Sequence, residues 1–235
     1  MKNAYHLATC SLIICSTFTS TAQAETWDAT DNFTALTTSN PNGAWSYGYD
    51  PAATNGYQFK AFDQLTNSGG YSISWLDSTY QLSATPTFGK NLSGLAQNGL
   101  PPGQIALHPG PTPDDDAAIL RFTAPDSSLY RIDANFYAGD MSETDAWIVR
   151  NGDFANPLSS LGVTSVNPSY VAPSLFLGAG DTLDFVVGNH GSFYNDTTPL
   201  SVHIVSVPEP GTFLLALGGL VALIFNLRTS RRPEA

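Results

Sequence analysis

The sequence predicts an all-β protein whose folded part is a single sandwich, and three observations carry that expectation. From Glu25 onward no segment sustains the 3.6-residue apolar period of an amphipathic helix. Short runs that alternate apolar with polar residues appear instead, at least eight of them at roughly ten-residue spacing, divided by Gly, Pro, Asn and Asp clusters. Aromatics, Thr, Ser, Asn and Gly are plentiful while Lys and Glu are scarce, which favours strands and turns over helices.

The first segment, residues 1–24, reads as a secretory signal. Lys2 gives the positive n-region, Leu7 to Phe18 a modest apolar core, and Ala22-Gln23-Ala24 an A-x-A cleavage site before Glu25. A lipoprotein signal ending at Cys15 is the competitor, and the bulky Ile14 before that cysteine argues against it. Cys10 and Cys15 are the only two cysteines and both fall in this segment, so the mature domain has no thiol chemistry, disulfide or cysteine metal site.

Along residues 25–206 the strands announce themselves by period two. Tyr71, Ile73 and Trp75 alternate with small polar residues, and Ala118, Leu120 and Phe122 do so up to the break at Ala124-Pro125. Tyr130, Ile132, Ala134 and Phe136 form the longest clean alternation, with Asp133 and Asn135 facing water. Ala146 to Val149 is apolar throughout, a strand covered on both faces, and it ends at the hairpin signal Asn151-Gly152. Leu183, Phe185 and Val187 follow the Gly180-Asp181 turn, and Leu200, Val202 and Ile204 make the closing strand, with His203 on its outer face. Residues 40–55 and 83–113, rich in Gly, Pro and Asn, read as long loops across the sandwich. No internal repeat or low-complexity linker divides the domain, and ~180 residues suffice for one well-buried core.

The last segment, residues 207–235, is built in three parts. Val207-Pro208-Glu209-Pro210-Gly211 comes first, then an uncharged apolar stretch over residues 212–227, then Arg228, Arg231 and Arg232. The stretch is close to the ~17-residue lower limit for a membrane-spanning helix, and the two prolines place its start after Pro210. The arginines hold the far end in the cytoplasm and leave residues 25–206 outside the inner membrane. This arrangement closely resembles the PEP-CTERM sorting signal of bacterial exported proteins, with Pro208, Glu209 and Pro210 matching the motif directly. The resemblance implies recognition by an exosortase, a membrane-embedded, transpeptidase-like processing enzyme, and then residence at the cell surface or in the extracellular matrix. Runs such as Asn40 to Tyr49, Leu107-His108-Pro109-Gly110, Leu120 to Pro125 and Gly180 to Gly188 also resemble segments of a recurrent bacterial extracellular β-sandwich, similar to jelly-roll carbohydrate-binding modules.

Charge narrows the function. The chain carries 20 acidic and 9 basic residues for a net charge of −11, and all the acids except Glu209 and Glu234 lie within residues 25–206. Such a domain repels nucleic acid and anionic membrane, which excludes a nucleic-acid role. Eleven rings crowd the first third of the domain, from Trp27 through Trp45, Tyr47, Tyr49 and Trp75 to Tyr80. Sugars present apolar C–H faces that stack on such rings, so Trp45, Tyr47 and Tyr49, in a Gly-rich loop, are the candidate glycan-binding residues. The competing assignment is that these rings fill the core of a Leu-poor domain. Asp114, Asp115 and Asp116, and separately Asp140, Glu143 and Asp145, are hard oxygen ligands grouped on loops that could hold a structural Ca²⁺. Neither group has EF-hand spacing, and solvated loop carboxylates are the favoured reading of both, with a structural calcium the alternative. Catalytic motifs are missing: there is no Gly-x-Ser-x-Gly elbow and no His-Glu-x-x-His pair, and no carboxylate pair stands out as a glycosidase couple. The expectation is a non-catalytic protein that binds glycan or matrix exopolysaccharide. A purely structural surface or biofilm protein is one alternative and a glycan-active hydrolase the other.

Overall fold

The structure, a computed structural model, describes residues 23–51, 56–70, 72–79, 86–111, 116–140 and 143–207. Within them the chain forms strands β1 (Thr26–Asp28), β2 (Trp45–Tyr49), β3 (Lys60–Ala61), β4 (Gln64–Asn67), β5 (Ser72–Leu76), β6 (Thr87–Asn91) and β7 (Ile105–His108). There follow β8 (Ala118–Thr123), β9 (Ser128–Phe136), β10 (Asp145–Arg150), β11 (Ser159–Val163), β12 (Ser169–Leu177), β13 (Thr182–Gly188) and β14 (Thr198–Val207). One short helix, α1 (Ala29–Asn32), is capped by the Asp28 side chain, which accepts from the N–H groups of Thr30 and Asp31.

The strands form two sheets. The eight-stranded sheet runs β12-β9-β14-β7-β6-β5-β4, with β1 added beside β14, and the six-stranded sheet runs β11-β10-β13-β8-β2-β3. Their pairings are antiparallel throughout, so the expected all-β, two-sheet sandwich stands. Period two explains the core. Tyr130, Ile132, Ala134 and Phe136 of β9 are fully buried, as are Leu183, Phe185 and Val187 of β13 and Ala118, Leu120 and Phe122 of β8. These inner faces meet in one apolar cluster that also holds Ile73, Phe88, Ile105 and Leu107. Ile148 and Val149 are both fully buried, which makes β10 a strand covered on both faces.

Two loop assignments need correction. Residues 40–55 contain β2, which pairs with β8 from Trp45↔Phe122 to Tyr49↔Ala118, and residues 83–113 contain β6 and β7 in the middle of the larger sheet. Short strands flanked by Gly and Pro give no long alternation to read. What holds them is pairing on both sides, which neighbours in sequence do not reveal. Asn151-Gly152 does turn the chain, with both residues at positive φ and the Asp153 N–H donating to Arg150 O. The return strand is delayed to Ser159, and the intervening segment carries Phe154 over the outside of the smaller sheet.

The first and last described strands close the sheet together. The Glu25 N–H donates to Ser206 Oγ at 2.7 Å, the Ser206 N–H donates to Glu25 O, and β1 pairs with β14 from Thr26↔Val205. Ala24 is exposed just ahead of this clasp, while Ala22, the sorting residues Pro208, Glu209 and Pro210 and the apolar stretch 212–227 lie outside the described residues. Among the described residues no helix is long and apolar enough to cross a membrane.

Candidate functional site

The rings singled out from sequence are in the core. Trp45, Tyr47 and Tyr49 are each only 1% exposed, because alternate residues of β2 share its inward face. Tyr47 stacks on Phe88 at 4.4 Å and Tyr49 on Phe62 at 5.4 Å. Their polar ends are satisfied inside: Trp45 Nε1 donates to Asn32 Oδ1 and the Tyr49 hydroxyl to Asp77 Oδ2. The Trp-x-Tyr-x-Tyr spacing was the signal, since three rings at period two are an inner strand face rather than a loop. As a stacking platform for sugar the three are overturned.

The acidic groups separate in the same way. Asp114 and Asp115 lie outside the described residues, and Asp116 is buried at a positive φ. Asp140 accepts from the Thr197 N–H, Asp145 turns to His190, and Glu143 is exposed. Among the described residues no three acid or histidine side chains converge as a metal site would require. Asp140, Glu143 and Asp145 are therefore neighbours in sequence but not ligands of one ion.

A different surface assembles the features that stacking and hydrogen bonding need. On the outer face of the smaller sheet, register sets Asp145 opposite Gly188, and the next positions inward are Ala117 and Asp50, whose N–H donates to Ala117 O. Two residues with little or no side chain thus lie between two carboxylates. Trp147, one pair further along, lies flat over this floor. A Cβ added at Gly188 would sit 2.9 Å from the Trp147 ring, so the glycine is what lets the indole down onto the strand. Phe154 meets Trp147 at 5.2 Å and stacks on Tyr57 at 5.1 Å and 13°. Together they wall a cleft of about 240 Å³, with Asn189 and His190 on the other side. That is room for a sugar ring rather than a large ligand.

Tyr57 reaches this place from the segment before β3, and a buried ion pair holds it there. Its hydroxyl donates to Asp184 Oδ2 at 2.8 Å. Arg121 grips the same carboxylate through Nε at 2.6 Å and a terminal nitrogen at 2.8 Å, while its guanidinium covers the Phe59 ring at 3.9 Å. The Asp184 side chain is completely buried, so the paired guanidinium is what makes its charge tolerable. Burial, reinforced by the Asp184 charge, pushes the Tyr57 phenol far above the usual range, and it stays a proton donor.

At the rim His190 Nδ1 meets Asp145 Oδ2 at 2.9 Å. The hydrogen bond and charge of Asp145 raise the imidazole's pKa, with Glu143 and Asp196 adding to the negative field. His190 also adopts φ +43, a left-handed conformation uncommon for a non-glycine residue, between Asn189 and Gly191. Sequence reasoning missed Trp147, Phe154, Tyr57 and His190 as a group. The available signals were a tryptophan on the second face of a strand and a Phe just past Asn-Gly; only the fold brings them together.

The molecule is thus a two-sheet β-sandwich with an aromatic-walled cleft on one outer face. Residues 206–232 match the PEP-CTERM protein-sorting motif, the tail of exported proteins, as the sequence resemblance implied. No curated protein is significantly similar in sequence. Similar solved structures include the Podospora anserina GH26-CBM35 β-(1,4)-mannanase, at 14% identity and TM-score 0.29 over 71% of this chain but 29% of that enzyme. Another is a family 35 carbohydrate-binding module from Clostridium thermocellum, at 11% identity and TM-score 0.26, covering 57% of this chain and 90% of the module. A third is the N-terminal cellulose-binding domain of Cellulomonas fimi β-1,4-glucanase C, at 14% identity and TM-score 0.28, covering 78% and 95%. Likenesses this remote say nothing of what the present chain binds.

Proposed function

We propose that the protein is a non-catalytic glycan-binding protein of the cell surface or extracellular matrix. In this reading residues 25–206 form a jelly-roll-like ectodomain that takes a sugar ring in the cleft under Trp147. The carrying observation is the cleft itself, where a partly exposed tryptophan, braced by Phe154 and Tyr57, faces polar groups on Asp145, Asn189 and His190. Stacking on the indole would supply affinity and the rim groups would select hydroxyl positions. The sorting tail supports the location. In this reading residues 212–227 span the inner membrane, and an exosortase recognises Pro208-Glu209-Pro210 and releases the ectodomain to the surface, where exopolysaccharide is the partner at hand.

A glycan array probed with residues 25–206 tests the binding. The expected result is retention on a restricted set of glycans, weakened in Trp147→Ala. The alternative of a structural surface protein is favoured by the burial of Trp45, Tyr47 and Tyr49, and an array silent for the folded wild type would establish it in place of the binding role. Turnover of any glycan that is retained would instead indicate a hydrolase.

A further inference from the structure

We infer that the larger sheet carries a second glycan site on its own outer face, so that one molecule can join two polysaccharide strands. The outward residues of β5, β6 and β7 fall into rows across the sheet. Ser74 stands opposite Gly89, which stands opposite Ala106, and this row makes a floor of small residues over three strands. One bank is Ser72 beside Asn91, and the other is Thr87 beside His108. The floor spans two inter-strand spacings, about 10 Å, and the groove encloses about 220 Å³.

Its end wall is the strap from Leu92 to Gly103, which folds back over the sheet and presents Gln97 and Asn98 to the groove. The strap is firmly held. Asn91 Nδ2 donates to the carbonyls of Leu95 and Leu100, and its Oδ1 accepts from Ser93. At its far end Gly99, at φ +71, lies so close to Gly139 and Asp140 that a Cβ would meet the Asp140 backbone nitrogen at 2.1 Å.

The chemistry of this groove selects its occupant. Strands β5, β6 and β7 are each paired on both sides, so their backbone groups are engaged in ladders and a peptide could not add as a further strand. Among the described residues the one ammonium at the groove, Lys90 Nζ, is spent on the carbonyls of Thr30 and Phe33, at 2.6 and 2.8 Å. What faces the groove is hydroxyl, amide and imidazole over a flat floor, complementary to a neutral polyol chain laid across the strands. The first cleft lies on the outside of the opposite sheet, so both sites can be filled by different polymer strands at once. Two sites on one rigid body convert weak single contacts into avidity and bridge the strands they hold.

The test uses the full chain in a non-glycosidic detergent, with beads coated in galactomannan, xylan or mixed-linkage β-glucan. Wild type should clump the beads of at least one coating. Ser74→Trp, which fills the groove, and Asn98→Gly, which removes an amide while suiting its left-handed backbone, should each abolish clumping at an unchanged melting temperature. Retention should fall about a hundredfold as avidity is lost. Trp147→Ala should likewise bind without clumping, and only the combined variant should lose all binding. If the two groove variants clump beads like wild type, there is no second site. If Trp147→Ala alone removes all binding, the second site is refuted while the first cleft stands. If no coating retains wild type, both fall.

Discussion

Trp147 on β10 and Tyr47 on β2 are aromatic residues of one sheet, on its outer and inner faces, and their environments predict opposite behaviour. Trp147 lies over a glycine on the outside, so Trp147→Ala should weaken glycan retention about a hundredfold as avidity is lost, while thermal unfolding shifts little. Tyr47 is 1% exposed and packed between Phe33 and Phe88. Tyr47→Ala should cost about 3–5 kcal/mol, the range for truncating a large buried ring, and chemical denaturation would show it. A near-neutral result there would mean that the ring is not core. His190 offers a test by pH. Its folded-state pKa is raised by Asp145, so the pair's contribution is fully present below the unfolded histidine value, about 6.5, and is lost as pH rises through the higher folded value. The melting-temperature gap between wild type and His190→Asn should therefore be largest in mild acid and vanish in alkali. Because the histidine side chain is 47% exposed, water screens the pair and the gap should be small.

At the scale of elements, the site depends on how the outer face of the smaller sheet is furnished. The segment bearing Tyr57 and Phe59 is not part of the sheet there; it is latched on by Arg121 and Asp184. Arg121→Ala leaves the Asp184 carboxylate buried without its main partner, and a loss of about 3–5 kcal/mol is expected. Arg121→Ala with Asp184→Ala should recover part of that loss in a double-mutant cycle, because the uncompensated charge is gone. The strands that form the inner faces were legible because burial on one side imposes period two. β9 shows this best, with every second residue from Tyr130 to Phe136 fully buried. β6 and β7 were not legible, because each is short and supported by strands distant in sequence; β2 showed period two in Trp45, Tyr47 and Tyr49, but the Gly and Pro around it made it read as a loop. The same logic hid the site. Trp147 was readable as a residue on the second face of β10, but its companion rings come from positions 57 and 154.

For the whole molecule, the clasp of Glu25 with Ser206 brings the start of the ectodomain beside the strand that leads into the sorting motif. The last described strand ends at Val207, and changes in the tail are expected to alter destination and leave stability untouched. Glu209→Ala keeps the apolar stretch and the arginines. It should still be exported and held in the membrane, but not shortened in cells that carry the cognate exosortase. Fractionation with an antibody to the ectodomain and mass spectrometry of the mature C-terminus would check this. An intact basic tail on mature wild type in such cells would mean that the segment is only an anchor. Circular dichroism of the ectodomain should show strand and almost no helix, given one four-residue α-helix and one three-residue 3₁₀ turn among the described residues.

By itself the sequence determined the β class, the apolar faces of the long strands and the sorting tail, because each is written in consecutive or alternating residues. Period two assigns a residue to one face of its strand, yet it does not say which face looks inward when both carry rings. Only the tertiary structure decided that Trp45, Tyr47 and Tyr49 are core and that Trp147 meets Phe154 and Tyr57 outside. The physical reason is that a cleft on a sheet is made by register between strands, and register is fixed by pairing partners far apart in the chain.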